Sequence, residues 1–142
     1  MRGPYRQYGT DKDIEATVGV RLNFDGYKIT ILRAGGSNQR YNSAVMEAIR
    51  KSADVDAIDV TQPMTEGAAI ELLATVYADT IVIAWEDVID ENDNPLECTR
   101  ENIIKVFTEL HDLFNRVREK AMLHTTFQKR RDDKSVKKSE NT

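Results

Sequence analysis

The stretch VGVRLNF-DG-YKITILR, residues 18–33, limits the fold more than any other part of the chain. Val18, Val20, Leu22 and Phe24 alternate with polar residues, and Asp25-Gly26 separates them from a second alternating run. Asp-Gly between two such runs signals a β-hairpin, because both turn positions accept positive φ. A two-residue loop sets the register. Phe24 is expected opposite Tyr27, Leu22 opposite Ile29 and Val20 opposite Ile31, all six on one side. A lone hairpin is marginal in water, so this apolar face must rest on the remainder of the chain.

That remainder reads as helices. Gly35-Gly36 ends the second strand, and Ser37 offers an N-cap. Tyr41, Ala44, Val45, Ala48 and Ile49 recur at helical spacing over about residues 38–52. A second helix, about 65–85, carries Ala69, Leu72, Leu73, Val76, Thr80, Ile83 and Ala84, widened by Ile70, Tyr77 and Ile81, and closes at Trp85. A helix apolar over so much of its surface is central. A third, about 100–127, follows the N-cap candidate Thr99 and lines up Ile103, Ile104, Phe107, Leu110, Phe114 and Val117. The sequence LHDL offers a point of interruption. The predicted fold is α+β: an N-terminal hairpin (17–33) packed on a mainly helical body, one domain over 17–128. A loose polar segment (1–16) precedes it, and a flexible basic tail (129–142) follows.

The connector DENDNPLECTRE, residues 90–101, mimics a calcium loop. Asp90, Asn92, Asn94 and Glu101 occupy oxygen-ligand positions. Pro95 stands where the loop needs glycine at positive φ, which proline cannot adopt. A polar turn between two helices is expected instead, with no metal. Cys98 is the single cysteine of 142 residues, so no internal disulfide or zinc cluster is expected. His111 and His124 give it no recognisable base arrangement, and a partly buried cysteine is expected. No run is long and apolar enough to span a membrane. The formal charge of −4 divides unevenly: the tail from Lys129, Arg130 and Arg131 onward is basic, and the body is acidic. An acidic body argues against nucleic acid. With no catalytic set, nucleotide loop or cofactor motif, the residues indicate a non-enzymatic binding or assembly protein.

Several features together resemble a known family. A lead YGTDKD and the hairpin are followed by ILRAGGSNQRY, then by YADTIVIAWEDVIDENDNPLECTRENIIKVFTELHDLF. This is similar to the tail assembly chaperones of long-tailed bacteriophages. Tyr77, Ala78, Trp85, Pro95, Leu96, Thr99, Glu101, Asn102, Asp112, Leu113 and Phe114 stand at the family's motif positions. His111 replaces the usual proline before Asp112, and Asn94 a common glycine. The resemblance spans about residues 8–128. It implies a chaperone that coats the apolar tape measure protein, assists tail tube assembly and is absent from the finished virion. It also implies the host bacterial cytoplasm, no cofactor, and long forms made by frameshifting, for which Lys137-Lys138 suits a slippery site. The alternative is a virion protein such as a tail-completion or head–tail adaptor protein. A nucleic-acid-binding regulator would rest on the basic tail alone. Within the third helix, Phe107 and Leu110 are expected to hold the fold. Phe114 and Val117 are expected to reach a partner or another copy, with Lys129, Arg130 and Arg131 steering an acidic one. Trp85, Pro95 and Thr99 are read as structural.

Overall fold

The computed structural model describes residues 3–51 and 67–128. The fold is α+β, an antiparallel sheet on a mainly helical body. Strands β1 (Val20–Phe24) and β2 (Tyr27–Ile31) pair in the expected register. Gly26 alone of the turn pair has positive φ, 104°, so one position, not both, needs the left-handed region. The alternation does not extend back to Val18. That residue is exposed and ends a π-helical turn, Ile14–Val18. Gly19, at φ 79°, redirects the chain into β1, and a Cβ there would lie 2.8 Å from the Ile31 carbonyl oxygen.

Within the segment expected to be loose, the described residues take up regular structure. They form α1 (Pro4–Tyr8) and the π-helical turn, which buries Glu15 to 1 % exposure. The Glu15 carboxylate pairs with the Arg33 guanidinium. It also accepts the Ser37 backbone N–H at 3.0 Å and the Ser37 hydroxyl at 2.7 Å. Burial would raise this carboxyl, but hydrogen bonds from Thr10, Ser37 and Arg33 outweigh it and hold it at about 2. Ser37 is therefore not a helix cap. Asn38 takes that role for α2 (Gln39–Lys51), accepting the Tyr41 N–H at 3.3 Å. Its own amide donates to the Arg33 and Thr80 carbonyls, at 2.9 and 3.1 Å. Asn38 thus joins the end of β2 to the end of α3 (Gly67–Thr80).

The expected helix 65–85 is two elements, although residues 65 and 66 lie outside the described range. Helix α3 ends at Thr80, and Val82–Glu86 forms β3, the third strand of the sheet, ordered β1-β2-β3. Ile29 faces Trp85, Thr30 faces Ala84 and Ile31 faces Val82, so Ile83 has no partner. This bulge puts Val82 and Trp85, three residues apart, on one buried face while Ile83 is exposed. Spacing of three is also helical spacing, which is why the pattern reads as helix. Trp85 therefore lies in a strand that ends at Glu86, and the turn after it joins a strand to a helix.

The expected helix 100–127 is broken. Helix α4 (Arg100–Glu109) stops at Leu110, whose φ −114° and ψ 78° are not helical, and α5 (His111–Met122) follows, then a 3-10 turn, His124–Phe127. In an unbroken helix Phe107 and Phe114 would be separated by about 10 Å of rise. Here their rings stack with centroids 4.7 Å apart. The break turns α5 back against α4 and seats Phe114 in the core, while Leu110 turns outward at 52 % exposure. Phe114 also meets Tyr77 edge-on at 5.2 Å, and Tyr77 meets Tyr41 edge-on at 5.9 Å. Burial pushes both phenols above their ordinary range, so they stay neutral. Buried Arg118 lies 5.9 Å from the Phe114 ring centroid, a cation–π contact.

Two measurements check this packing. Phe114→Ala should cost about 3–5 kcal/mol in urea unfolding, whereas Leu110→Ala should stay within about 0.5 kcal/mol of wild type. Equal losses would contradict the break. The second test concerns pH. The folded carboxyl of Glu15 lies at about 2, against 4.5 for the free group. Its contribution is therefore complete above 4.5 and is lost as pH falls through about 2, with a size of about 3 kcal/mol. Glu15→Gln should lower stability at neutral pH and flatten its decline in acid, as read by urea midpoints from neutral pH down to about pH 3.

Candidate functional site

Phe114 and Val117 are 1 % and 0 % exposed, so neither can meet a partner in the folded chain. Their expected role as contact residues is corrected: both face inward because the break at Leu110 folds α5 onto α4. Leu110, expected inside, is the exposed member of the stripe. Lys129, Arg130 and Arg131 lie outside the described residues, as does the rest of the tail.

The apolar surface lies one element upstream. Between the β3–α4 connector and α4 runs a groove of about 310 Å³. Ile89, Leu96, Val106 and Leu110 supply its apolar lining, with Asp90, Glu91, Asn102, Lys105 and Glu109 as the polar residues. Ile89 and Leu110 are 53 % and 52 % exposed. Two large exposed apolar side chains around a concave surface, rimmed by charge, are what a binding site for an apolar segment looks like.

Each residue read as structural props one wall of this groove. The Trp85 indole Nε1–H donates to the Leu96 carbonyl at 2.9 Å. Pro95 pairs with Ile89 in an isolated antiparallel bridge, and the flanking bonds run from Leu96 N–H to Val88 O and from Asp90 N–H to Asn94 O, both 2.8 Å. The connector is thus a small hairpin. Its reversal falls at Asp93, which takes the left-handed φ of 65°, two residues before Pro95. Asp90 Oδ1 accepts the Asn92 and Asn94 N–H groups at 2.8 and 2.9 Å, an Asx-type turn. Thr99 caps α4 by accepting the Asn102 N–H at 3.1 Å. Asn102 in turn donates to the Glu97 carbonyl at 2.9 Å. Arg100 meets Asp79 at 2.6 Å, an exposed pair that ties α4 to the end of α3.

Among the described residues, no nucleophile–base arrangement accompanies the groove. Cys98 is exposed, not partly buried. Local desolvation still pushes its thiol up, more than a bond with the Trp85 backbone lowers it. His124 instead packs on Tyr8, with ring centroids 5.4 Å apart. Among the described residues, no group of three His, Cys, Asp or Glu side chains stands ready to hold a metal. A second cavity, about 500 Å³, lies along α5 and is lined by Asp112, Asn115, Arg116, Arg118, Glu119, Met122 and Leu123. Its two acids and two bases balance, and Met122 and Leu123 are its apolar lining.

Ile89, Val106 and Leu110 are the apolar groove residues that sequence patterning misplaces or passes over. Ile89 sits in a polar run, and Leu110 fits the helical stripe. The signal for Leu110 was His111-Asp112 directly behind it, where a new helix begins.

Among known proteins, no curated relative and no solved structure matches the chain. A family model described as YdaY prophage protein matches residues 36–138. The match begins in the Gly-Gly turn, leaves out the hairpin, and takes in every helix from α2 onward, β3 and the whole groove. The chain therefore belongs to the YdaY prophage protein family and is of phage origin.

Proposed function

We propose that this chain is a non-enzymatic tail assembly chaperone that binds the tape measure protein and keeps it soluble while the tail tube forms. The observation that carries this is the groove of Ile89, Leu96, Val106 and Leu110. The motif residues that resemble tail assembly chaperones, Trp85, Pro95, Leu96, Thr99 and Asn102, build its walls and have no other evident chemistry. Prophage membership places the chain among phage genes, and an apolar groove without a nucleophile suits shielding better than catalysis. Helix-in-groove recognition covers an apolar stripe that would otherwise aggregate. On this reading the protein acts in the host bacterial cytoplasm, also meets tail tube subunits, needs no cofactor and is left out of the finished virion.

Co-expression with the tape measure protein tests this. Wild type should keep that protein in the soluble fraction. Leu110→Asp should not, although aspartate is a favourable cap for α5 and leaves the core intact. The melting temperature of the variant should stay within a few degrees of wild type. A tape measure protein that precipitates equally with and without wild type overturns the proposal. So does recovery of the chain from purified virions, which favours an adaptor or tail-completion protein.

A further inference from the structure

The groove has two chemically different parts, and together they specify more than an apolar ligand. Its floor is aliphatic. Its rim carries Asp90, Glu91 and Glu109, and Lys105 is the one base among the lining residues. The rim belongs to a wider acidic field. Residues 86–109 hold eight carboxylates against Arg100 and Lys105, a net charge of −6. Arg100 is engaged with Asp79 at 2.6 Å, which leaves Lys105 as the nearest counter-charge at the groove. Glu91 and Glu109 are exposed, and among the described residues neither forms an ion pair. An acidic segment arriving here would meet like charge on both walls. A segment with cations beside its apolar stripe would gain attraction from both.

We infer that this groove docks an amphipathic helix whose apolar stripe is flanked by lysine or arginine, a segment of the apolar partner proposed above. Val106 on α4 and Leu110 at its C-terminal break line the groove together with Ile89 and Leu96 of the connector, so a partner helix can lay its stripe between the two walls. Its cations then reach Glu91 on the connector side and Glu109 on the helix side. The acidic rim sets orientation and speeds encounter, and its effect weakens with salt. The aliphatic floor supplies the part of the affinity that salt does not touch.

The inference rests on the chaperone reading but can fail separately from it. Two labelled helical peptides of about 18 residues, roughly five turns, would share one leucine stripe and differ only in carrying lysine or glutamate beside it. Anisotropy titrations with the full chain should show the lysine peptide binding at least about tenfold more tightly at low salt, the sum of a few exposed charge pairs. That preference should shrink in high salt. Leu110→Asp should abolish binding of both. Glu91→Lys combined with Glu109→Lys should reverse the preference, with the melting temperature as a check that the fold is kept. Equal binding of the two peptides overturns the inference. A preference that survives the double lysine variant also overturns it, and assigns recognition to another surface. A groove filled by a second copy would show as a dimer that Leu110→Asp dissociates while peptide binding is unchanged, which likewise overturns it. If neither peptide binds while co-expression still keeps the tape measure protein soluble, the inference fails and the chaperone reading stands.

Discussion

Four rings in sequence hold four helices together. Tyr41 of α2 meets Tyr77 of α3, Tyr77 meets Phe114 of α5, and Phe114 stacks on Phe107 of α4. Each contact contributes about 0.5–1.5 kcal/mol beyond the area it buries. The last of the three has the largest structural effect. Stacking Phe107 on Phe114 requires the helix to break between them, and the break falls at Leu110. A leucine that a straight helix would carry inward is left at the surface, beside a connector that exposes Ile89. The groove is therefore a by-product of how the core closes, and core and binding surface cannot be altered independently at this point. The same reasoning explains why Trp85, Pro95 and Thr99 accompany the site without touching a ligand. A concave surface made from a turn and a helix keeps its shape only if both are pinned, and these residues pin them.

Much of the architecture was legible in the residues. The hairpin register follows from a two-residue loop, and α2 and the cap at Thr99 follow from local spacing and chemistry. The errors have specific causes. The bulge at Ile83 gives β3 a spacing of three between inward residues, so a strand imitates a helix. The run Ile81-Val82-Ile83, rich in β-branched residues, was the countervailing signal. Residues 4–18 are held by the Glu15 carboxylate meeting Arg33 and Ser37 and by bonds to Phe127 and Gln128, contacts remote in sequence that periodicity does not register. The site was half legible. The connector and its motif residues stand out as a set, but which apolar residue of the third stripe faces water depends on ring stacking across a break. Spacing alone assigns Leu110, Phe114 and Val117 to one face. Tertiary contact then divides them.

The beginning and end of the described domain are clasped. Thr10 pairs with Gln128 in an antiparallel bridge, the Asp11 N–H donates to the Phe127 carbonyl at 2.9 Å, and the Gln128 amide reaches the Gln7 carbonyl across 121 positions of sequence. Closing a loop of that length costs about 4 kcal/mol of chain entropy if nothing has formed inside it. A single bridge and one side-chain hydrogen bond cannot meet that cost alone. The clasp therefore closes late in folding, after the helices and sheet have already brought its halves together. Held by so few bonds, it can reopen without global unfolding. Amide exchange at Asp11 and Gln128 would then report a local latch, and exchange at Ile29 and Phe107 the stability of the whole domain.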